Sequence, residues 1–251
     1  MPMRNIKLML QYDGRAYHGW QSQKNAVAVQ DVLQRAVEKI TKNRVQIIGC
    51  GRTDAGVHAA AYVCNFFSDT TIPVENLVYA LNASLPDDII CQKAHEVSLQ
   101  FHSKYSAVKK RYTYRILNRR INDVFWAPYT WQVKQPLEIE AMKKAAAAFV
   151  GTHDFAGFAS SGLSVKTTVR TIYSLEIEKD GDFYTIDVIG NGFLYNMVRI
   201  IAGTLVFAGM GKLDADEMPQ IIASCDRTRA GITAPAKGLC LSEVIYEEGG
   251  K

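Results

Sequence analysis

The sequence lacks the residue patterns by which metal centres and disulfide frameworks are usually recognised. Its five cysteines, at positions 50, 64, 91, 225 and 240, form no CxxC pair, and its five histidines show no HxxxH or HExxH spacing. Dispersed cysteines in an odd number argue against a disulfide framework and a zinc cluster, and they favour a reducing cytoplasm. We therefore expect no metal site.

Apolar runs long enough to cross a membrane are missing as well. Lys7 and Asp13 interrupt the first apolar residues, so no signal peptide is predicted. The longest apolar stretch, residues 197–210, contains Arg199 and is shorter than the ~20 residues that a bilayer requires. This stretch therefore indicates a buried helix.

The composition is that of an ordinary globular protein. The 251 residues are enough for one large domain or two small ones, and 48% are hydrophobic while 22% are charged. The net charge of +4 is compatible with a polyanionic partner but does not identify one.

The most informative stretch is residues 49–59, GCGRTDAGVHA, which we call the acid loop. Its three glycines force a turn, because glycine accepts positive φ and lets other groups approach closely. The loop carries one carboxylate, Asp54, with Arg52 before it, between predicted strands at 45–48 and 62–67. Such a loop can hold a reactive group on a rigid scaffold, although an Asp in a glycine-rich turn more often caps backbone N–H groups.

The order of predicted elements indicates an α+β fold with two similar halves. The first half reads β-α-β-β-α-β, which is typical of ferredoxin-like sheets, and the second repeats this order with one extra helix. We predict halves at residues 1–105 and 106–251, joined into one extended, mainly antiparallel sheet with helices on one face and an active-site cleft at the junction. The predicted strands are 5–12, 45–48, 62–67, 89–97, 109–116, 169–179, 183–189 and 239–246. The predicted helices are 31–42, 74–83, 137–150, 193–208 and 214–225.

Two stretches combine aromatic and basic side chains. Residues 12–21, YDGRAYHGWQ, are either packing residues or a surface for single-stranded nucleic acid. Residues 109–116, KKRYTYRI, are either an ordinary strand with a solvated basic face or a platform on which bases stack while cations contact phosphates. Lys166 and Arg170, which flank a later loop, are further candidates for contact with an RNA backbone.

Arg199 is the one charged residue between Asp187 and Lys212. A buried Arg requires an anionic partner, since an unpaired buried charge is costly. The partner could be a core acid in an inert salt bridge or a group with a chemical role.

Five stretches, in this order along the chain, resemble the tRNA pseudouridine synthase A family. They begin at residues 12, 51, 101, 193 and 226 and read YDG…GWQ, GRTDAGVHA, FHSKYSAVKKRYTYRI, FLYNMVRIIAGTL and DRT…TAPAKGL. Arg15 is a mild departure, because the family often has Thr or Ser there.

The resemblance implies roles for individual residues. Asp54 matches the catalytic nucleophile, Arg199 its ion-pair partner, and Tyr112 the residue that stacks on the target uracil. The sequence leaves open whether Asp54 attacks C1′, adds to the base or removes a sugar proton. By analogy Arg52 fills the space that the flipped base leaves. The expected substrate contacts are completed by Lys110, Arg111, Lys166, Arg170 and Leu239.

The resemblance also implies an isomerase that converts uridine to pseudouridine in the anticodon stem-loop of tRNA, at positions 38, 39 and 40. No cofactor is expected, and the family implies a cytoplasmic homodimer in which one tRNA contacts both subunits. Two other classes of protein remain open on the residues alone. One is a non-catalytic RNA-binding module on ferredoxin-like sheets, and the other is a carboxylate-dependent hydrolase of small nucleosides.

Overall fold

The computed structural model describes residues 2–162 and 165–247, and these contain ten strands and five α-helices. The strands are β1 Arg4–Tyr12, β2 Ile48–Gly49, β3 His58–Ser68, β4 Ile89–Val97, β5 Ala107–Asn118, β6 Trp131–Val133, β7 Gly151–Asp154, β8 Val169–Asp180, β9 Phe183–Gly190 and β10 Leu239–Tyr246. The helices are α1 Val29–Thr41, α2 Val74–Asn82, α3 Ile139–Ala147, α4 Met197–Gly209 and α5 Met218–Ala223. The α+β prediction is confirmed.

The chain divides into two compact units. Unit 1 comprises Met1–Val108 with Leu241–Lys251, and unit 2 comprises Lys109–Cys240. Most of β10 is thus grouped with the N-terminal unit, whereas the predicted halves assign it to the C-terminal one.

Unit 1 has the strand order β4-β1-β3-β10, and β2 also pairs with β3. The pairs β1–β3, β1–β4 and β2–β3 are antiparallel. Along β1 the side chains of Ile6, Leu8 and Leu10 are fully buried, while Lys7 and Met9 between them are partly exposed. This alternation follows from the period of two of a strand, which sends successive side chains to opposite faces.

Unit 2 has the strand order β5-β9-β8-β7. These strands pair antiparallel, and β6 pairs parallel with β5. The turn dipeptide Asp180-Gly181 joins β8 to β9 as predicted, with Gly181 at φ +56°. Eleven of the thirteen residues of α4 are buried, so the prediction of a buried helix is confirmed.

Several predicted boundaries were wrong, and three of them are described here. The apolar run at 45–48 reaches a ladder only at Ile48; Val45 and Ile47 are buried without strand pairing. Helix α4 begins at Met197 rather than at 193, because Asn196 adopts a left-handed conformation with φ +60° that a helix cannot include. The helix predicted at 214–225 is a 3₁₀ turn, Ala215–Glu217, followed by the short α5.

Two strands were not predicted. Both β6 and β7 are too short for their periodicity to be visible in the sequence. In the described part of the chain, no helix is long and apolar enough to cross a membrane.

Candidate active site

The acid loop connects β2 to β3 in unit 1, and its backbone conformation is set by a tight turn. The N–H of Val57 donates to the carbonyl oxygen of Asp54 over 3.1 Å, and Gly56 between them has φ +77°. This turn position requires a left-handed backbone conformation, which glycine adopts readily because it has no Cβ. Asp54 itself is partly exposed.

A second segment, residues 12–20, clamps the acid loop through main-chain hydrogen bonds. Gly56 donates its N–H to the carbonyl of Tyr17 over 3.1 Å, and Trp20 donates to the carbonyl of Thr53 over 3.3 Å. The hydroxyls of Tyr12 and Thr53 lie 2.8 Å apart and share a hydrogen bond. The residues on both sides of Asp54 are therefore held by neighbouring backbone.

Two glycines make this close approach possible. A Cβ added to Gly14 would lie 2.0 Å from the carbonyl oxygen of Val57. One added to Gly19, which has φ +82°, would lie 2.3 Å from the carbonyl oxygen of Thr53. Both glycines are thus required for contact with the acid loop rather than for turning alone.

The aromatic residues of segment 12–20 pack in the interior. Tyr12, Tyr17 and Trp20 are each less than 10% exposed, and the Trp20 ring stacks on Tyr62 at a centroid distance of 3.9 Å. Tyr62 donates its hydroxyl to the carbonyl of Gly51, and burial raises the pKa of this hydroxyl. Of the two interpretations of this segment, packing is the one that the structure supports.

Beside the clamp, Arg15 forms an ion pair with Asp13 at 2.6 Å. Burial acts to raise the pKa of Asp13, but the hydrogen bonds and the charge of Arg15 outweigh it and hold this pKa below its ordinary value. Arg15, at which the sequence departs from the family pattern, therefore has an acidic partner in Asp13.

Arg52 is exposed on the acid loop. Within residues 2–162 and 165–247 its side chain forms no hydrogen bond or ion pair. Its guanidinium is therefore available for an external contact.

In unit 2, Tyr112 lies on β5 opposite Val188 of β9 and is 8% exposed. Its ring meets the edge of Phe193 at 5.2 Å with an interplanar angle of 87°. On the other face of the strand, Arg111 forms an ion pair with Asp187 at 3.0 Å, and Thr113 donates to the same carboxylate. The Tyr112 ring is therefore held by an edge contact. On the opposite face of β5, Asp187 neutralises part of the positive charge.

Arg199 lies in the first turn of α4 and is partly buried. Its Nε donates to the carbonyl of Ala234 and its Nη1 donates to Oδ1 of Asn196, both over 2.7 Å. These two acceptors orient the guanidinium. Neither Asn196 nor Ala234 was singled out from the sequence, although both lie in the stretches that resemble the family.

Comparison with known proteins identifies the chain. A family model described as tRNA pseudouridine synthase matches residues 8–106 and 145–247. The tRNA pseudouridine synthase A of Thermoanaerobacter sp. (strain X514) is 54% identical over 244 residues, which are 97% of this chain and 100% of the relative. The chain belongs to the tRNA pseudouridine synthase A family.

Other members are nearly as similar. The tRNA pseudouridine synthase A of Acetivibrio thermocellus is 50% identical over the same share of both chains. Among solved structures, the crystal structure of a Cbf5-Nop10-Gar1 complex has a TM-score of 0.38 at 10% identity, covering 94% of this chain and 57% of that one. A likeness of this size adds nothing to the assignment.

The remaining residues predicted to contact the substrate lie in unit 2. Lys110 is partly exposed on β5, and Lys166 is exposed. Arg170 on β8 donates to the carbonyls of Thr167 and Val169. Leu239 begins β10 and is 4% exposed, so little of its side chain is open to a substrate.

Proposed function

We propose that this chain isomerises uridine to pseudouridine in the anticodon stem-loop of tRNA. The observation that supports this most is full-length similarity to tRNA pseudouridine synthases A together with an intact acid loop whose backbone is fixed on both sides of Asp54. A reactive carboxylate needs such positioning, because small misplacements of a catalytic group are costly.

The reaction rearranges one nucleotide without exchanging other atoms. The C1′–N1 bond breaks, the uracil turns, and C5 bonds to C1′ in its place. A proton leaves C5 and N1 gains one, so the product is an isomer of the substrate. The balance requires neither an oxidant nor a phosphoryl donor.

In our proposal the carboxylate of Asp54 is the nucleophile. Arg199 pairs with it and favours the ionised form, since a nearby cation lowers a carboxyl pKa. The hydrogen bonds to Ala234 and Asn196 orient the guanidinium of Arg199. In this proposal the two units form one extended sheet, and the active-site cleft lies at their junction.

Tyr112 stacks on the target uracil, a contact worth about 1–3 kcal/mol per base. Because the target lies in or beside a stem, it must be flipped out at a cost of a few kcal/mol. Exposed Arg52 fills the space that the base leaves. The remaining contacts come from Lys110, Arg111, Lys166 and Arg170, and from the small exposed part of Leu239.

The working assembly in this proposal is a cytoplasmic homodimer in which one tRNA contacts both subunits. The five dispersed cysteines of the sequence are in keeping with a reducing compartment.

Tritium release from tRNA tests the reaction. A transcript labelled at uridine C5 should lose tritium to water, because C5 exchanges its proton for the bond to C1′. A matched transcript with cytidine in place of the uridines on the 3′ side of the anticodon stem-loop should release far less. Affinity for tRNA should fall with salt, with a log–log slope of roughly −0.7 to −0.9 per phosphate contact.

Two outcomes would contradict the proposal. Tight tRNA binding without tritium release would make the protein a non-catalytic RNA-binding module. Cleavage of free uridine to uracil and ribose, at a rate insensitive to salt, would make it a nucleoside hydrolase.

A further inference from the structure

Unit 1 carries a hollow on the sheet face opposite the buried side chains of Ile6, Leu8 and Leu10. Register places Lys7 of β1 opposite Asn65 of β3 and His95 of β4, and it places Met9 opposite Val63 and Lys93. Directly opposed residues of antiparallel strands share one face. Lys7, Met9, Val63, Lys93, His95 and Tyr246 line a cavity of about 260 Å³, which we call the Lys7 hollow.

A buried polar network builds one end of this face. Asn5 and Asn65 are fully buried, and Asn65 donates to Asn5 over 2.8 Å. Asn5 in turn donates to the carbonyls of Ser98 and Phe101, while Ser103 donates to Asn65. The segment that follows β4 is thereby fixed to β1 and β3.

Aromatic rings from this region stand beside Lys7. Tyr246 donates its hydroxyl to the carbonyl of Ser103 over 2.9 Å, and its ring lies 5.2 Å from that of Phe101. The ammonium of Lys7 lies 5.3 Å from the Phe101 centroid and 5.8 Å from the Tyr246 centroid. Its position is therefore defined by packing, and burial lowers its pKa.

Among the described residues, no acidic side chain balances the charge of the hollow. None of the residues that line it is acidic, and in the described ranges neither Lys7 nor Lys93 has a carboxylate within ion-pair distance. On the other face of the same strand, Arg4 pairs with Glu96 at 2.8 Å. A partly buried cation without a protein anion is stabilised when an external anion binds.

We propose that the Lys7 hollow binds a backbone phosphate of the substrate tRNA, away from the reacting base. The inference rests on the proposed function, since it takes tRNA as the ligand. Lys7 is five residues along β1 from Tyr12, which contacts the acid loop, so the two points are about 17 Å apart at 3.3–3.4 Å per residue. Several nucleotides of a stem span this distance, and about 260 Å³ has room for a phosphate group.

A phosphate is favoured over a second copy of the chain. A two-fold interface places the same patch of both copies together, which would set the Lys7 and Lys93 ammonium groups of one copy against those of the other. RNA carries the opposite charge along its whole backbone.

The test is the salt dependence of tRNA binding by Lys7→Met, Lys93→Met and the double variant, with Lys7→Arg as the charge-retaining variant. Lys39→Met, at an exposed position on α1, is the matched control for loss of one positive charge. The double variant should bind tRNA several-fold more weakly at low salt, and its log–log slope should be smaller by about 0.7–0.9 per lost contact. Lys7→Arg and Lys39→Met should keep the wild-type slope, and the rate at saturating tRNA should not change.

The outcomes separate this inference from the proposed function. Failure of the wild type to bind tRNA or to release tritium would overturn the proposed function and this inference with it. Normal wild-type activity with a wild-type slope in the double variant would overturn the Lys7 hollow alone. A changed sedimentation coefficient without a changed slope would assign the face to a protein contact and overturn it too. If Lys7→Met does not fold, exposed Lys93→Met carries the test by itself.

Discussion

The acid loop of unit 1 and the Arg199 helix of unit 2 are held in different ways. Main-chain hydrogen bonds and two close-packed glycines fix the backbone around Asp54. Arg199 is instead oriented at its side chain, by one carbonyl and one amide oxygen. The position of Asp54 therefore depends on backbone groups and glycines that take no part in the chemistry. Arg199, in contrast, can be substituted without moving the backbone that carries it.

The largest effect in this comparison is expected for Asp54→Asn. The amide has nearly the same shape but cannot act as a carboxylate nucleophile, so turnover should become undetectable while tRNA affinity stays within several-fold. Asp69→Asn, an exposed residue of the same unit, is the matched control and should keep wild-type activity. Appreciable pseudouridine formation by Asp54→Asn would remove Asp54 from its role.

The backbone clamp is tested by Gly14→Ala against Gly192→Ala. Neither glycine has a positive φ, and an added Cβ at Gly192 meets only the Arg170 side chain at 3.8 Å or more. Gly14→Ala should lower the free energy of unfolding by about 1–3 kcal/mol and greatly slow tritium release, because Val57 and the acid loop must move. Equal unfolding free energies for the two variants, by urea titration, would contradict the clamp.

The proposed stacking of Tyr112 on the target uracil is tested by Tyr112→Phe and Tyr112→Leu. Phe retains a stacking ring and the edge contact with Phe193, whereas Leu loses both. The single-turnover rate should therefore fall modestly for Tyr112→Phe. For Tyr112→Leu it should fall by the factor that corresponds to ~1–3 kcal/mol, the contribution of one stacked base. Identical losses in the two variants would argue against stacking.

The smallest effect is expected at the edge of the clamp, for Arg15→Gln. The pKa of Asp13 is lowered in the folded state, so the pair stabilises the protein above the ordinary pKa of 3.8 and loses this effect as pH falls through the lowered value. Because the pair is partly exposed, the variant should lose at most about 1 kcal/mol near neutral pH. The difference in unfolding free energy should vanish in acid, and a difference that persists there would refute the pairing.

Much of the fold follows from local patterns in the sequence. Alternation along β1 and the apolar length of α4 predicted both elements, because each buries one repeating set of side chains. Strands β6 and β7 could not be predicted, since three or four residues are too few to show the alternation of a strand. The start of α4 depends on the left-handed Asn196, a backbone property that hydrophobic pattern does not encode.

The sequence suggests residues for the candidate site but not the groups that support them. Asp54, Tyr112 and Arg199 came from resemblance of short stretches, which the full-length comparison then identified as one family. The function of Gly14 and Gly19 depends on which backbone comes within contact distance, and that is set only by the folded chain. The same holds for Ala234, which contributes a carbonyl and not a side chain to Arg199.

The central proposal is that Arg199 of unit 2 acts on the carboxylate of Asp54 of unit 1. Its most direct test is the pH dependence of single-turnover pseudouridine formation by wild type, Arg199→Lys and Arg199→Met. Loss of a nearby cation raises a carboxyl pKa, so the acid limb of the Arg199→Met profile should move to higher pH by about 1–3 pH units. Arg199→Lys should shift less because it keeps the charge. A profile that is merely lower for Arg199→Met, with its acid limb unmoved, would contradict the account.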